Sequence, residues 1–168
     1  MSDAVSVRVL TPQDAIAVRR LRLEGLRLSP QAFGSAWEEE AALPLSWWEG
    51  RLAGPARWFG AEVDAHLAGL TVVSLNLRMK HAHNAEIGAV YVGENFRRRG
   101  VAFKLMQSAM GYLRTTKIQN ATLTVSADNI AAQQLYAQFG FSVCGQLHRE
   151  LNVDGSFNDE LLMRTQIF

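Results

Sequence analysis

The chain has 168 residues, 48% of them hydrophobic, and a net charge of +1. This suits a single domain over residues 1–168 with a sizeable core, and gives no global bias toward nucleic acid or an anionic membrane. No run approaches the roughly 20 apolar residues of a membrane span, and the lone Cys144 excludes an intrachain disulfide and a structural zinc site.

The start, Met1-Ser2-Asp3-Ala4-Val5, lacks the basic and apolar stretches of a signal peptide. The expectation is a cytoplasmic protein. Ser6 to Leu10 alternates and predicts a first strand. Thr11-Pro12-Gln13-Asp14 predicts a helix start, with Ile16, Leu21, Leu23, Leu26 and Leu28 as its apolar side and Ser29-Pro30 as its stop. Ser46 and Glu49 have capping-box spacing for a short helix ending near Leu52. Trp58–Val63 and Leu67–Leu77 read as strands around a tight turn at Asp64-Ala65, followed by a polar loop, Arg78–Asn84. Ala85–Val92 is a strand, Val101–Leu113 a helix, Thr122–Ser126 a strand and Asn129–Phe139 a helix closed by Gly140. Asp154-Gly155 marks a hairpin between Phe141–Val153 and Phe157–Ile167. Cys144, beside Val143, is expected to be buried as a small hydrophobe. The order is mixed α and β around one sheet.

The sharpest local feature is Arg97-Arg98-Arg99-Gly100-Val101-Ala102, between an apolar strand and a helix. First-turn amides of a helix lack intrahelical partners and the dipole there favours anions. Gly100 and Ala102 leave room for close approach, and arginines suit phosphate oxygens. The spacing R-x-x-G-x-A is neither a P-loop nor a dinucleotide fingerprint. It resembles the coenzyme-A pyrophosphate loop of the GNAT N-acetyltransferase superfamily, Q/R-x-x-G-x-G/A. Downstream, the segment from Leu123-Thr124-Val125 through Asn129, Ala132, Leu135-Tyr136 and Gly140-Phe141 is similar to that superfamily's second signature. The resemblance runs from about Thr11 to the C-terminus and is sharp from Glu86 to Phe141.

The resemblance implies a mixed α/β fold (GNAT-like): a central, mostly antiparallel sheet whose two central parallel strands, Ala85–Val92 and Thr122–Ser126, splay apart and are flanked by helices. It implies acetyl-CoA as donor, held by Arg97, Arg98, Arg99, Gly100, Val101 and Ala102. The pantetheine arm would meet backbone groups near Val90 and Val92, and Asn129 beside them. The expected activity is acetyl transfer to a primary amine of a small molecule, such as an amino acid or polyamine, by direct attack in a ternary complex. Alternatives are acetylation of protein N-termini or lysines, and a non-catalytic acyl-CoA-binding module.

Such transfer needs a held thioester, a neutral amine, a stabilised oxyanion and a protonated leaving thiolate. Tyr136 is the candidate general acid, protonated at pH 7 with an ordinary pKa of about 10. On its own it reads as a core tyrosine; within the Asn129, Leu135-Tyr136, Gly140-Phe141 pattern it reads as catalytic. Asn129 reads as a helix cap, which is compatible with a cofactor contact. An amine with a pKa of about 10.4 needs a base or a water chain. Thr124 stands where some relatives carry Glu, so Glu86 is the remaining carboxylate on the central strands, with a solvated strand end as its other reading. His81 and His83 belong to the polar loop and His148 to the hairpin. The histidines lack a zinc-binding spacing, so no metal is expected. The resemblance implies an acceptor site shaped by the first two helices and the C-terminal hairpin, here Leu21–Leu52 and Phe141–Phe157. Glu38, Glu39, Glu40, Trp47 and Trp48 are candidates to attract and pack an amine there, or else a solvated charge run and core tryptophans. A homodimer is left open.

Overall fold

The structure, a computed structural model, describes residues 4–168; Met1, Ser2 and Asp3 of the N-terminal pentapeptide lie outside the described residues. Strand β1 (Ser6–Val9) leads to helix α1 (Ala15–Leu28), α2 (Trp37–Ala41) and α3 (Leu45–Ala53). Strands β2 (Arg57–Val63), β3 (His66–Leu75) and β4 (Asn84–Val92) follow, then α4 (Val101–Arg114), β5 (Asn120–Ser126), α5 (Ile130–Ala137) and the hairpin β6 (Ser142–Val153) and β7 (Ser156–Gln166). The sheet order is β1-β2-β3-β4-β5-β7-β6. Every neighbouring pair is antiparallel except β4 and β5, which run parallel.

Two apolar clusters sandwich the sheet. Val101, Leu105, Met106, Ala109, Met110 and Leu113 of α4 pack on one side, against Val73, Ile87, Leu123 and Val125 among others. Val18, Leu21 and Leu26 of α1 and Trp48 and Leu52 of α3 pack on the other, against Trp58, Leu70, Val72 and Tyr91. Helix α1 buries Ala15, Val18, Leu21, Gly25 and Leu26. Ile16 and Leu28, expected on that apolar side, are 70% and 50% exposed. The buried stripe follows 3.6-residue spacing from Ala15; Ile16 falls off it, and Leu28 is the last residue of the helix. Helix α3 starts one residue before the expected cap, with Pro44 rather than Ser46 as N-cap. Proline has already fixed the φ that suits the entry to a helix. The polar loop at 78–84 contains a short 3-10 turn, Met79–His81.

The parallel pair is short. Only Asn84↔Asn120, Ala85↔Ala121 and Glu86↔Thr122 are in register. Asn120 Nδ2 donates to Asn84 Oδ1 at 3.1 Å and braces this closed end. Beyond Glu86 the strands part. A bulge contributes: the β3–β4 register shifts between Leu70 and Val72, and Ala89 is held at φ 51. A bulge bends its strand and increases local twist. Buried Thr71 fixes it by donating from Oγ1 to the Gly88 carbonyl at 3.0 Å.

Cys144 is exposed, contrary to the expectation of burial. It lies on β6, the edge strand, which is solvent-exposed along most of its length. A strand at the sheet edge with no helix over it has no core in which to bury a thiol. Among the described residues no helix is long and apolar enough to cross a membrane.

Candidate active site

The opening between β4 and β5 leads into two depressions. One is a groove of ≈ 700 Å³ lined by Val90, Val92, Arg97, Arg98, Gly100, Val101, Ala102, Asn129 and Tyr136, among others. The other is a cavity of ≈ 250 Å³ between the sheet and helices α1–α3, whose walls include Arg22, Glu40, Trp47, Trp48, Arg51, Trp58, Glu86, Thr124 and Glu160. Ala32, Val90, Ser126, Asn129 and Tyr136 line both. The groove and the cavity therefore meet where the central strands part.

The groove is built mainly from backbone. Gly100 is the N-cap of α4 at φ 76, ψ 8. That left-handed conformation favours glycine. A Cβ there would meet nothing within 4 Å, so the space beside the helix N-terminus is open. The first-turn amides of α4 point out of the helix there. Arg97 and Arg98 add positive charge. Arg97 is partly engaged already: its Nε donates to the Val92 carbonyl at 3.3 Å and its guanidinium lies 5.8 Å from the Tyr91 ring centroid. Arg99 lies outside the groove lining, with its guanidinium 5.9 Å from the Phe96 ring centroid. Of the six loop residues, then, five are brought to the groove. The combination of an open helix N-terminus, cationic side chains and an unpaired strand edge fits a ligand with a diphosphate and an amide-bearing arm.

Asn129 caps α5, its Oδ1 accepting from the Ala132 amide at 3.1 Å. The turn is fixed from the other side by Gln133, whose Nε2 donates to the Ala127 and Ser126 carbonyls at 2.9 and 3.2 Å. Helix α5 ends at Ala137, and the turn after it closes at Gly140, φ 85, with the Phe141 amide donating back to the Tyr136 carbonyl at 3.2 Å. Tyr136 is held between this cap and the sheet. It is 6% exposed, and burial pushes its hydroxyl up to about 12. The phenol is thus protonated throughout the neutral range.

The cavity is built from side chains. Trp58, Val72 and Gly88 are successive cross-strand partners and share one face of the sheet. Glu86 shares that face, and Thr122, Thr124 and Ser126 continue it on β5. Opposite stands a buried ion pair: Arg22 Nε and Nη2 donate to Glu40 Oε2 and Oε1 at 2.9 and 2.7 Å. Arg22 also lies 4.6 Å from the Phe33 ring centroid. Glu40 is therefore neutralised, not free to draw in an amine. Glu39 caps α2 by accepting from the Ala36 amide at 2.8 Å, and Glu38 is exposed. Trp48 is core and Trp47 is 37% exposed at the cavity wall. Glu86 lines the cavity but is exposed. His148 is not in its lining; it bonds Asp159 Oδ2 at 3.0 Å on the hairpin's outer surface.

Several lining residues carried no signal in the sequence. Ser126, Trp58, Arg51 and Glu160 enter the site only through strand register and helix docking. Glu160 is half-buried, and burial together with the nearby Glu150 charge holds its carboxyl above the usual range.

The sequence matches the acetyltransferase (GNAT) family over residues 22–141, most of the chain. The protein belongs to the GNAT acetyltransferase family. Among solved structures, a GNAT-family acetyltransferase from Streptococcus pneumoniae superposes with a TM-score of 0.85 at 20% identity, covering 98% of this chain and 100% of that one. The yncA acetyltransferase of Salmonella typhimurium, solved with its cofactor acetyl-CoA, gives 0.80 at 18% identity over 98% and 95%. These likenesses establish the GNAT fold. Spermidine N(1)-acetyltransferase of Escherichia coli (strain K12) is 27% identical over 108 residues, 64% of this chain and 56% of its own length. L-amino acid N-acetyltransferase AaaT of the same organism is 28% identical over 122 residues, 69% of this chain and 73% of its own. The chain thus spans little more than half the length of the spermidine enzyme.

Proposed function

We propose that this GNAT protein is an acetyl-CoA-dependent N-acetyltransferase that acts on the primary amine of a small molecule, by direct attack in a ternary complex. The observation that carries this reading is the meeting of the groove and the cavity at Val90, Ser126, Asn129 and Tyr136. A donor in one and an acceptor in the other come together there without a covalent enzyme intermediate. The two relatives named for polyamine and amino-acid acceptors support the same class. The acceptor cavity, at ≈ 250 Å³, suits a small amine better than a folded protein surface.

Bound in the groove, acetyl-CoA supplies the activated acetyl thioester. The Gly100–Ala102 amides and the Arg97 and Arg98 side chains hold its diphosphate, and the open edges at Val90 and Val92 and the Asn129 side chain hold its arm. Tyr136 faces the leaving sulfur. Burial holds the phenol well above the range of a thiol, about 8.5, which opposes outright transfer. Tyr136 therefore works as a hydrogen-bond donor to the developing charge, and loses its proton only as another replaces it. Glu86 adds negative charge to the acceptor side.

The test is thiol release from acetyl-CoA with a panel of amino acids, polyamines and other amines, run beside a peptide array. The expected result is turnover of at least one small amine and none of the peptides. Acetyl-CoA binding without turnover of any amine or peptide would favour a binding module and sink the reading.

A further inference from the structure

Deprotonation of the acceptor is the step for which the central strands offer only Glu86. Strand register places that residue far from the junction. Glu86 is in register with Thr122, four residues before Ser126, and Val90 is likewise four residues beyond Glu86 on its own strand. At about 3.3 Å per residue this is roughly 13 Å, more than a glutamate side chain spans. Glu160 stands elsewhere. It is the direct cross-strand partner of Ser126, one of the residues shared by groove and cavity. Directly opposed Cβ atoms lie about 5 Å apart on the same face. The turn is locked alongside, the Ala127 amide donating to the Asp159 carbonyl at 2.9 Å. Glu160 itself lines the cavity.

Resting on the acetyltransferase reading above, we propose that Glu160 of β7 is the catalytic base that deprotonates the acceptor amine. An N–H bond of the ammonium breaks and its proton goes to a Glu160 oxygen, then to solvent through the cavity. The freed nitrogen lone pair forms the N–C bond to the acetyl carbon as the C–S bond breaks. The second nitrogen proton is lost as the amide forms and ends on sulfur by way of the Tyr136 hydroxyl. The sum is an amide, a thiol and one released proton. Partial burial suits Glu160 to this work, since a carboxyl held above its usual range is a stronger base. The charge that acts on it is Glu150 on β6, and the other titratable or charged groups lining the same cavity are Tyr136, Glu86, Arg51 and the Arg22–Glu40 pair. Glu86 retains the role of attracting the cation.

The experiment is the pH profile of kcat/KM, on the best amine of the panel, for wild type, E160Q, E86Q and E150Q. E160Q is expected to lose about 100-fold near neutrality. It should recover as the pH approaches the pKa of the amine, with acetyl-CoA affinity unchanged by calorimetry. E86Q should raise KM for the amine while keeping the wild-type profile. E150Q removes a charge that holds Glu160 up, so its acidic limb should move to lower pH; this arm decides the matter if E160Q does not fold. An E160Q profile like that of wild type, an E86Q profile with the loss expected of E160Q, or an unmoved acidic limb in E150Q overturns the assignment of the base while leaving the acetyltransferase reading intact. Absence of wild-type turnover overturns both.

Discussion

The groove and the cavity share five wall residues, yet they are made differently. The groove takes its character from backbone: a helix N-terminus, a left-handed glycine and an unpaired strand edge, supplied chiefly by β4, the loop at 97–100 and the segment 126–136. The cavity takes its character from side chains that arrive from α1, α2, α3 and every strand from β2 to β5, and β7. Backbone recognition serves one invariant ligand and tolerates change in the surrounding side chains. Side-chain recognition can be retuned residue by residue, which suits the half of the reaction in which acceptors differ.

The largest expected effect attacks the cavity wall. Arg22→Ala leaves Glu40 buried without its partner, and both side chains are nearly inaccessible, at 12% and 9% exposed. A loss of about 3 kcal/mol in urea unfolding is expected, with R22L/E40L milder because no charge remains uncompensated. Equal losses in the single and double variants would show that the pair does not act as a unit. On the groove side, Gly100→Val forces a β-branched residue to φ 76 and fills the open space beside the helix N-terminus. Acetyl-CoA affinity, read by calorimetry, should fall by about 100-fold while the amine site is spared; strain in this region alone costs about 1–3 kcal/mol. At the junction, Tyr136→Phe should lower kcat about 10- to 100-fold and leave acetyl-CoA affinity within about twofold. A drop in affinity matching the drop in kcat would move Tyr136 from chemistry to binding. The smallest effect belongs to Asn129→Ala, which removes the Ala132 cap at about 1 kcal/mol of stability. A further loss of acetyl-CoA affinity beyond that would sharpen its double role.

Much of this contrast was legible in the amino-acid order. The loop at Arg97–Ala102, the Asn129 cap, the Gly140 stop and the Asp154-Gly155 turn are local devices, each fixed by residues within a few positions of one another. Strand and helix identities followed from periodicity for the same reason. Misreadings fell where a distant partner decides. Glu40 sits in a run of three glutamates that reads as a solvated face, but Arg22, eighteen residues away, takes it into the interior. Cys144 sits beside a valine in a strand, but that strand is the sheet edge. Glu160 has no local mark at all, because its place depends on the register of β7 against β5.

By itself, the sequence determined the helix termini, caps and tight turns that build the groove, because these are short-range physics written in contiguous residues, and its resemblance to the GNAT superfamily implied the fold. Only the tertiary structure decided where β4 and β5 part, which side chains enclose the cavity and that Glu160 stands beside Ser126. Those depend on a three-pair parallel contact, on a bulge at Ala89 and on cross-strand register between segments tens of residues apart. No local pattern encodes such distances, since register is set by the packing of both sheet faces at once.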